Sequence, residues 1–328
     1  MNDIKKIGLT ALAGSLVAIS AQAAEMTVSG ATMVTYTSED GTEVTGNPLG
    51  MKTNLAFTAS GEVNGYNVSY MQTSKDQFAG MTSARLSVDM GDMGTIALDQ
   101  GSGSGLATID DKTPTAAEEI WDGLDSTAAG LVGAAGSSGV VNYVNTFSGV
   151  TLNTALRKGS GTKNADGASS GAGQSAWDFA LTTDGSMMGV DGLAIGLGYG
   201  EAENGSDAGS TLGDEEHSTA FANYSVGPVT FGYQMSYINS NVLGTDDRQT
   251  DAWGLAFNVN ENLSVSYGER DVVYTDNAGD VTEKFDGIAV AYTMGSMKIA
   301  GNMNEVSDSA GVVGTNDSMT EIAVSFAF

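Results

Sequence analysis

From residue 25 onward, apolar and polar residues alternate with a period of two in segment after segment. In "MTVSGATMVTY", Met26, Val28, Val34 and Tyr36 fall on one side. Leu55 and Phe57 repeat the pattern in "TNLAFTA", and Leu86, Val88 and Met90 stand opposite Arg85, Ser87 and Asp89 in "ARLSVDM". Later come "WDFAL" (Trp177, Phe179, Leu181), "LAIGLGY" (Leu193, Ile195, Leu197, Tyr199) and "VTFGYQMSY" (Val229, Phe231, Tyr233, Met235, Tyr237). "WGLAFNV", "LSVSY", "IAVAY" and "IAVSF" complete the series. Successive side chains of a strand point to opposite faces, so each segment predicts a strand with one apolar and one polar or small face.

The connections alternate too. Tight ones contain turn formers: Asn64-Gly65, Gly91 to Gly94, Ser148-Gly149, Gly227-Pro228, Asn260 to Asn262 and Gly295-Ser296. Between them lie acidic, Gly/Ser-rich loops such as Glu39 to Gly50, Gly101 to Ser138, Gly159 to Gly173 and Ala202 to Glu216. The count is about sixteen strands, each near the ~9–11 residues of a tilted membrane-crossing strand. Short and long connections in alternation put all tight turns at one end of an up-and-down sheet. An even count returns both chain ends to that side. A sheet this wide requires closure to hide its edges.

Two architectures compete for the apolar face. A soluble barrel or sandwich turns it inward, whereas a membrane barrel turns it toward lipid and lines a lumen with the polar face. Lys52, Arg85, Arg157, Arg270 and Lys298 lie within strands, all on the polar face. No base sits mid-strand on the apolar face, where facing lipid would cost ~2–4 kcal/mol. Aromatic residues form two groups: Tyr36, Trp177, Tyr237, Trp253 and Tyr274 at loop ends, and Tyr66, Phe147, Tyr292, Phe326 and Phe328 toward turn ends. Two aromatic belts separated by aliphatic residues are what bilayer interfaces select, so the expected fold is an all-β transmembrane barrel. Glu201, Glu269, Asp271 and Asp286 fall on the lipid side in this register, near loop ends, where they stand above the hydrocarbon or a bulge reverses them.

Composition narrows the function. The 328 residues include 40 Asp and Glu against 13 Lys and Arg, a net charge of −27. That balance argues against nucleic acid, which requires a basic face. The absence of Cys removes disulfides and thiol chemistry. The first residues, "MNDIKKIGLTALAGSLVAISAQA", combine Lys5 and Lys6, an apolar run from Ile7 to Ser20 and a small-x-small site at Ala21-Gln22-Ala23. Residues 1–23 are therefore expected to be a secretory signal peptide, with the barrel occupying 24–328. "GSGSGLA" lacks the third glycine of a dinucleotide loop, Leu106 standing at its place. His217 is the only histidine and reads as a rim residue. Asp214-Glu215-Glu216 and Asp246-Asp247 offer oxygen ligands for Ca²⁺ without a defined loop motif, so solvated acids are the default and no cofactor is expected.

The leader, the alternating segments, the short-turn/long-loop rhythm and the terminal "EIAVSFAF" together resemble Gram-negative outer-membrane porins. The similarity is strongest to the trimeric general diffusion porins of alphaproteobacterial type, although the "PEFGG" third-loop motif of enteric porins is absent. The resemblance implies a sixteen-stranded antiparallel up-and-down barrel in the outer membrane, a homotrimer and a water-filled channel for passive diffusion of small hydrophilic solutes. Ile322, Val324, Phe326 and Phe328 match the strand that the barrel insertion machinery reads as an assembly signal. The resemblance also implies a third loop, here about 101–138, folded inward to narrow the lumen. Thr115 and Glu118 have capping-box spacing, which predicts a short helix over Ala116 to Leu124 that anchors through Ile120, Trp121 and Leu124. Its acids are Asp110, Asp111, Glu118, Glu119, Asp122 and Asp125. Opposite them a basic wall is expected from Arg85 and Arg157, with Lys52, Arg270 and Lys298 as further candidates. The acidic excess predicts a modest cation preference. The alternatives are a substrate-selective channel with an aromatic track, for which inward Phe221 and Phe285 are the candidates, and a secreted acidic β-rich adhesin.

Overall fold

A computed structural model describes residues 25–41, 44–75, 81–124, 130–136, 138–159, 174–204, 213–243, 245–275 and 279–328. The expected leader and Asp125 lie outside them. Sixteen strands form the wall. The first eight are β1 (Glu25–Gly41), β2 (Leu49–Val63), β3 (Tyr66–Ser74), β4 (Met81–Asp89), β5 (Thr95–Gln100), β6 (Ser138–Phe147), β7 (Val150–Arg157) and β8 (Ala176–Asp184). The second eight are β9 (Leu193–Ala202), β10 (Glu215–Val226), β11 (Val229–Asn239), β12 (Asp247–Asn258), β13 (Leu263–Thr275), β14 (Val281–Met294), β15 (Met297–Ser307) and β16 (Asp317–Ala327). Each pairs antiparallel with its chain neighbours, and β1 pairs with β16 to close the barrel. Lengths run from 6 residues in β5 to 17 in β1, a wider spread than the uniform crossings expected.

The tight turns follow from their residues. Asn64 and Gly65 have φ of 53° and 84°, and Ser148 and Gly149 have 49° and 85°. Positive φ at both central positions is the mirror-image hairpin turn, whose twist matches that of the flanking strands. The seam between β1 and β16 runs to the end of the chain, where Gly30 and Phe328 exchange both backbone hydrogen bonds at 2.9 Å.

Pairing settles which way each face points. Val34, Tyr36, Leu86, Leu98, Leu156, Leu197, Ile288 and Ile322 are exposed on the outside. The two aromatic belts are on that face with one correction: Tyr274 points inward and is buried. Val272 and Val273 are both apolar, so alternation is lost at that end of β13 and strand pairing decides the side. The continuous ladders of β9 and β12–β14 keep Glu201, Glu269, Asp271 and Asp286 outward without a bulge. Tyrosine and tryptophan hydroxyl and indole groups meet these and neighbouring acids: Tyr199 donates to Glu201 at 2.8 Å, Tyr267 to Glu269 at 2.8 Å, Tyr233 to Asp251 at 2.6 Å and Trp253 to Glu269 at 3.2 Å.

Among the described residues, the buried apolar clusters lie inside the barrel, between the wall and the segment joining β5 to β6. One contains Leu106, Ile109, Val132, Ala180, Phe221 and Ile238. Another contains Trp121, Leu124, Val272, Tyr274, Phe285, Val306 and Met319. The closed sheet is thus filled by its own third loop along one side.

Candidate functional site

Loop 3 spans 101–137 between β5 and β6, and its path can be followed strand by strand. At its foot, Leu106 N–H donates to Asp178 on β8 at 3.0 Å. Lys112 N–H then donates to Gln234 on β11 at 2.7 Å, and Asn223 on β10 donates to Lys112 O at 2.7 Å. Ala116 N–H reaches Ser266 on β13 at 2.8 Å. Asn304 on β15 donates to Glu119 O at 3.2 Å and to Asp122 O at 2.9 Å. The return limb donates from Gly133 N–H to His217 on β10 at 3.2 Å and from Ala135 N–H to Asp178 at 2.8 Å. Buried backbone groups need partners, and here polar wall side chains supply them. The described loop therefore covers the wall from β7 round to β16, leaving the lumen against β1–β4.

Glycines make the track for this loop. A Cβ at Gly198 would collide with Leu106, and one at Gly232 with Pro114. At Gly254 it would stand 2.7 Å from Pro114 O, and at Gly287 3.0 Å from Ile120 Cβ. All four are inward positions, so "LGY", "FGY", "WGL" and "DGI" each provide one bare site where loop backbone or side chain presses on the sheet.

The expected helix over Ala116 to Leu124 is not formed. Two separate turns replace it, Asp122 N–H to Glu119 O at 3.0 Å and Leu124 N–H to Trp121 O at 3.2 Å. The Thr115 hydroxyl donates to Glu118 O at 2.7 Å instead of capping a helix. The wall holds this backbone instead: Asn304 takes Glu119 O, an acceptor that a helix would use, and Ser266 takes the Ala116 N–H. Ile120, Trp121 and Leu124 nevertheless pack on the wall.

The five candidate bases divide by position. Arg85 faces inward but grips the loop's foot, donating to Gly103 O at 3.2 Å and to Asn142, with Asp99 at 3.6 Å. Arg157 donates to Gln174 O at 3.1 Å and lies beside Gly136 of the return limb. Arg270 corrects the expectation of an open basic wall most clearly. It is 1% exposed, with its guanidinium 4.5 Å from the Trp121 ring centre and 5.3 Å from that of Phe285. Loop 3 covers it, so it does not line an open lumen. Lys298 faces inward two residues from the Gly295-Ser296 turn. Asn304, which holds the loop acids' backbone, is six residues further along β15, roughly 20 Å at ~3.3 Å per residue. Lys52 on β2 lies on the uncovered wall, pairing with inward Met33.

The acids divide as well. Asp110 and Asp111 line a narrow cleft with Trp121, Gln234 and Arg270. Burial raises both carboxyls above the usual range; the Arg270 charge opposes the rise at Asp111. Asp122 is pushed up to about 6, first by burial and then by Glu118, Glu321 and Glu119, with Lys52 opposing. Glu118, Glu119, Asp122 and Glu321 thus share one electrostatic neighbourhood with Lys52. Glu321 was not among the candidates; its signal was its inward place in "EIAVSF", opposite Thr37, which donates to it at 3.0 Å.

Other residues missed in the sequence hold the loop. Asp178 and Asp99 are buried inward acids in "WDFAL" and "ALDQ", and each accepts loop N–H or hydroxyl donors. His217, two residues from the loop-side start of β10, is 7% exposed and lies under the loop's return limb. Its Nδ1 accepts from Gly133, which leaves Nε2 to donate to Glu215 at 2.7 Å. Phe221 and Phe285 are both buried under the loop and offer no open aromatic track. Among the described residues, no cluster of His, Asp and Glu is arranged to hold a metal ion.

Comparison with known proteins matches this geometry. The family model described as Gram-negative porin matches residues 8–328. No curated protein matches the sequence significantly. Solved structures that resemble the fold include the trimer form of OmpT from Vibrio cholerae, at 12% identity and a TM-score of 0.66, covering 93% of this chain and 100% of that one. An anion-selective porin from Comamonas acidovorans is similar at 14% identity and 0.66, with the same coverage. A mutant of the Rh. blastica porin follows at 13% and 0.62, covering 93% and 100%. The closed sixteen-strand barrel, its inward loop and the match over nearly its whole length place this chain in the Gram-negative porin family, as an outer-membrane protein.

Proposed function

We propose that this porin is a passive channel for small hydrophilic solutes and ions with a modest cation preference. The carrying observation is the asymmetry of its interior: Glu118, Glu119, Asp122 and Glu321 gather about a single uncovered base, Lys52. Among the described residues, three of the five candidate bases are engaged at loop 3, Lys298 sits in the turn-side vestibule, and Arg248, also inward, lies 6.0 Å from the Tyr274 ring centre. Carboxylates on one side of a narrow aqueous passage, with low-dielectric walls, raise the local cation concentration and orient dipolar solutes. The solute moves down its gradient through water, so no catalyst or cofactor is required. The Comamonas neighbour, described as anion-selective, has the same fold, so ion preference belongs to lining charges and not to the barrel.

The working unit of this reading is a homotrimer, supported by the trimer form of the OmpT neighbour. Residues 1–23 act as the export signal, and Phe326 and Phe328 as the strand presented to the insertion machinery. Reversal potentials in planar bilayers under a KCl gradient test the central claim. A cation-directed potential that grows in Lys52→Glu and shrinks in Asp122→Asn is expected. An anion-directed potential in the unaltered protein overturns it.

A further inference from the structure

The loop-side end of the lumen holds an inward arginine that the wall does not use. Arg248 is the second residue of β12, between buried Ile238 on β11 and buried Tyr274 on β13. It is half-buried. Among the described residues its guanidinium donates no hydrogen bond and joins no ion pair, and Nε is shut off from solvent without a partner. A guanidinium is all donors, and a shielded donor without an acceptor is costly.

The side chain is nevertheless built into place. Its charged carbon stands 6.0 Å from the Tyr274 ring centre, at the reach of a cation–π contact. Tyr274 in turn donates its hydroxyl to Glu283 at 2.9 Å, and the other oxygen of Glu283 accepts the Ala310 N–H at 2.8 Å. The Gly311 backbone lies against the same ring, where a Cβ would be 2.8 Å from Cγ. The platform under Arg248 is therefore fixed. Asp247, its neighbour in sequence, faces outward and is engaged elsewhere: its carboxylate accepts the Ser240 N–H at 2.9 Å and the Tyr237 hydroxyl at 3.3 Å.

Two strands away, Glu215 opens β10 on the same inward face. One of its oxygens takes the His217 Nε2 proton at 2.7 Å. Among the described residues no hydrogen bond holds the other oxygen, and the side chain is 37% exposed. Ile238 is the direct cross-strand neighbour of both His217 and Arg248. Two strand spacings of ~4.8 Å and an offset of two residues at ~3.3 Å put the Glu215 and Arg248 Cα atoms about 12 Å apart. Glu215 feels the Arg248 charge, yet among the described residues the two do not close into an ion pair. The return limb of loop 3 runs just below the gap, from Gly130 at Thr250 to Gly133 at His217. A guanidinium and a carboxylate thus face one another across open lumen, on the loop side of the constriction.

The geometry points to a binding subsite for a small zwitterion that carries a carboxylate and a primary ammonium close together, the class of the free α-amino acids. The solute carboxylate accepts paired hydrogen bonds from the Arg248 fork. Its ammonium donates to the open oxygen of Glu215. A simple anion would meet Glu215 and the acidic interior, and a simple cation would meet Arg248. Only a solute with both signs completes both groups. The subsite deepens the channel reading given above and rests on it for access: the solute meets Arg248 and Glu215 before it meets the narrow passage.

The test is saturation-transfer NMR of the full purified protein in detergent. The probes are L-alanine, N-acetyl-L-alanine, which lacks the ammonium, and L-alaninamide, which lacks the carboxylate. A saturable signal is expected for L-alanine, with half-saturation at about tenfold lower concentration than for either derivative. Arg248→Gln should raise the L-alanine value about tenfold and leave that of L-alaninamide unchanged. Glu215→Gln should do the same to L-alanine and leave N-acetyl-L-alanine unchanged. A residue that merely shaped the barrel would weaken all probes together. Heat-modifiable gel mobility shows whether the variants are folded, and the three probes on the unaltered protein form a test that needs no variant. Equal half-saturation for all three probes overturns the proposal, as does unchanged L-alanine binding in both variants. Tighter binding of N-acetyl-L-alanine than of L-alanine would make this a plain anion site and overturns the zwitterion assignment. Stepwise conductance of the unaltered protein is recorded alongside. Its absence sinks the channel reading, whereas a conducting channel that gives no saturable L-alanine signal sinks this subsite alone.

Discussion

At the scale of single residues, the interior is governed by which charges loop 3 covers. Asp122 is the informative case because burial and three acidic neighbours hold its carboxyl near pH 6. Above that value it is charged and adds to the proposed cation preference; below it the charge is lost. Reversal potentials should therefore show weaker cation preference at pH 5 than at pH 7.5, and Asp122→Asn should show the weaker value at both. The linkage has the same sign for stability. The folded-state value lies above the ordinary 3.8, so the unfavourable contribution is full above about pH 6 and is relieved as pH falls toward 3.8. His217 makes a second prediction. Its ring accepts one loop hydrogen bond, and a typical one contributes ~1 kcal/mol. His217→Phe should loosen the return limb by about that amount, seen as added current noise in single-channel traces with the mean conductance retained. The sequence exposed the residue type but not this role, because Gly133 meets it only across 84 positions of chain.

At the scale of elements, strands were legible and the loop was not. Alternation in "VTFGYQMSY" is local physics: each residue's face follows from its neighbour's. The helix expected over Ala116 to Leu124 is not formed; Glu119 O, an acceptor it would use, is taken by Asn304, which belongs to a strand far along the chain. The same distance hid the purpose of the inward glycines, which read simply as small residues on a polar face. Gly254→Val sets two effects against each other: the strand gains a β-branched residue, and Pro114 loses its seat. Overpacking commonly costs ~1–3 kcal/mol, which exceeds the gain in strand propensity. The variant is expected to unfold at lower temperature in heat-modifiability gels, and to conduct less because the displaced loop moves into the lumen.

At the scale of the whole molecule, closure decides what the chain end does. Phe328 pairs with Gly30 across the seam, and its ring is exposed on the outer face at the turn-side rim. Phe328→Ser should reduce the amount of protein recovered in the outer membrane while leaving the conductance of assembled channels unchanged. Normal recovery would remove the residue from the assembly step. The sequence by itself determined the sixteen-strand meander, the outward apolar face, the belts apart from Tyr274 and the inward place of the five candidate bases, because period-two alternation and turn chemistry act between neighbours. Only the tertiary structure decided that Arg270 is covered, that Arg85 holds the foot of the loop while Arg157 lies beside its return limb, and that Glu321 joins Asp122 near Lys52. Those facts depend on where the described part of the segment between β5 and β6 comes to rest inside a closed wall, and that is set by contacts between residues tens to hundreds of positions apart.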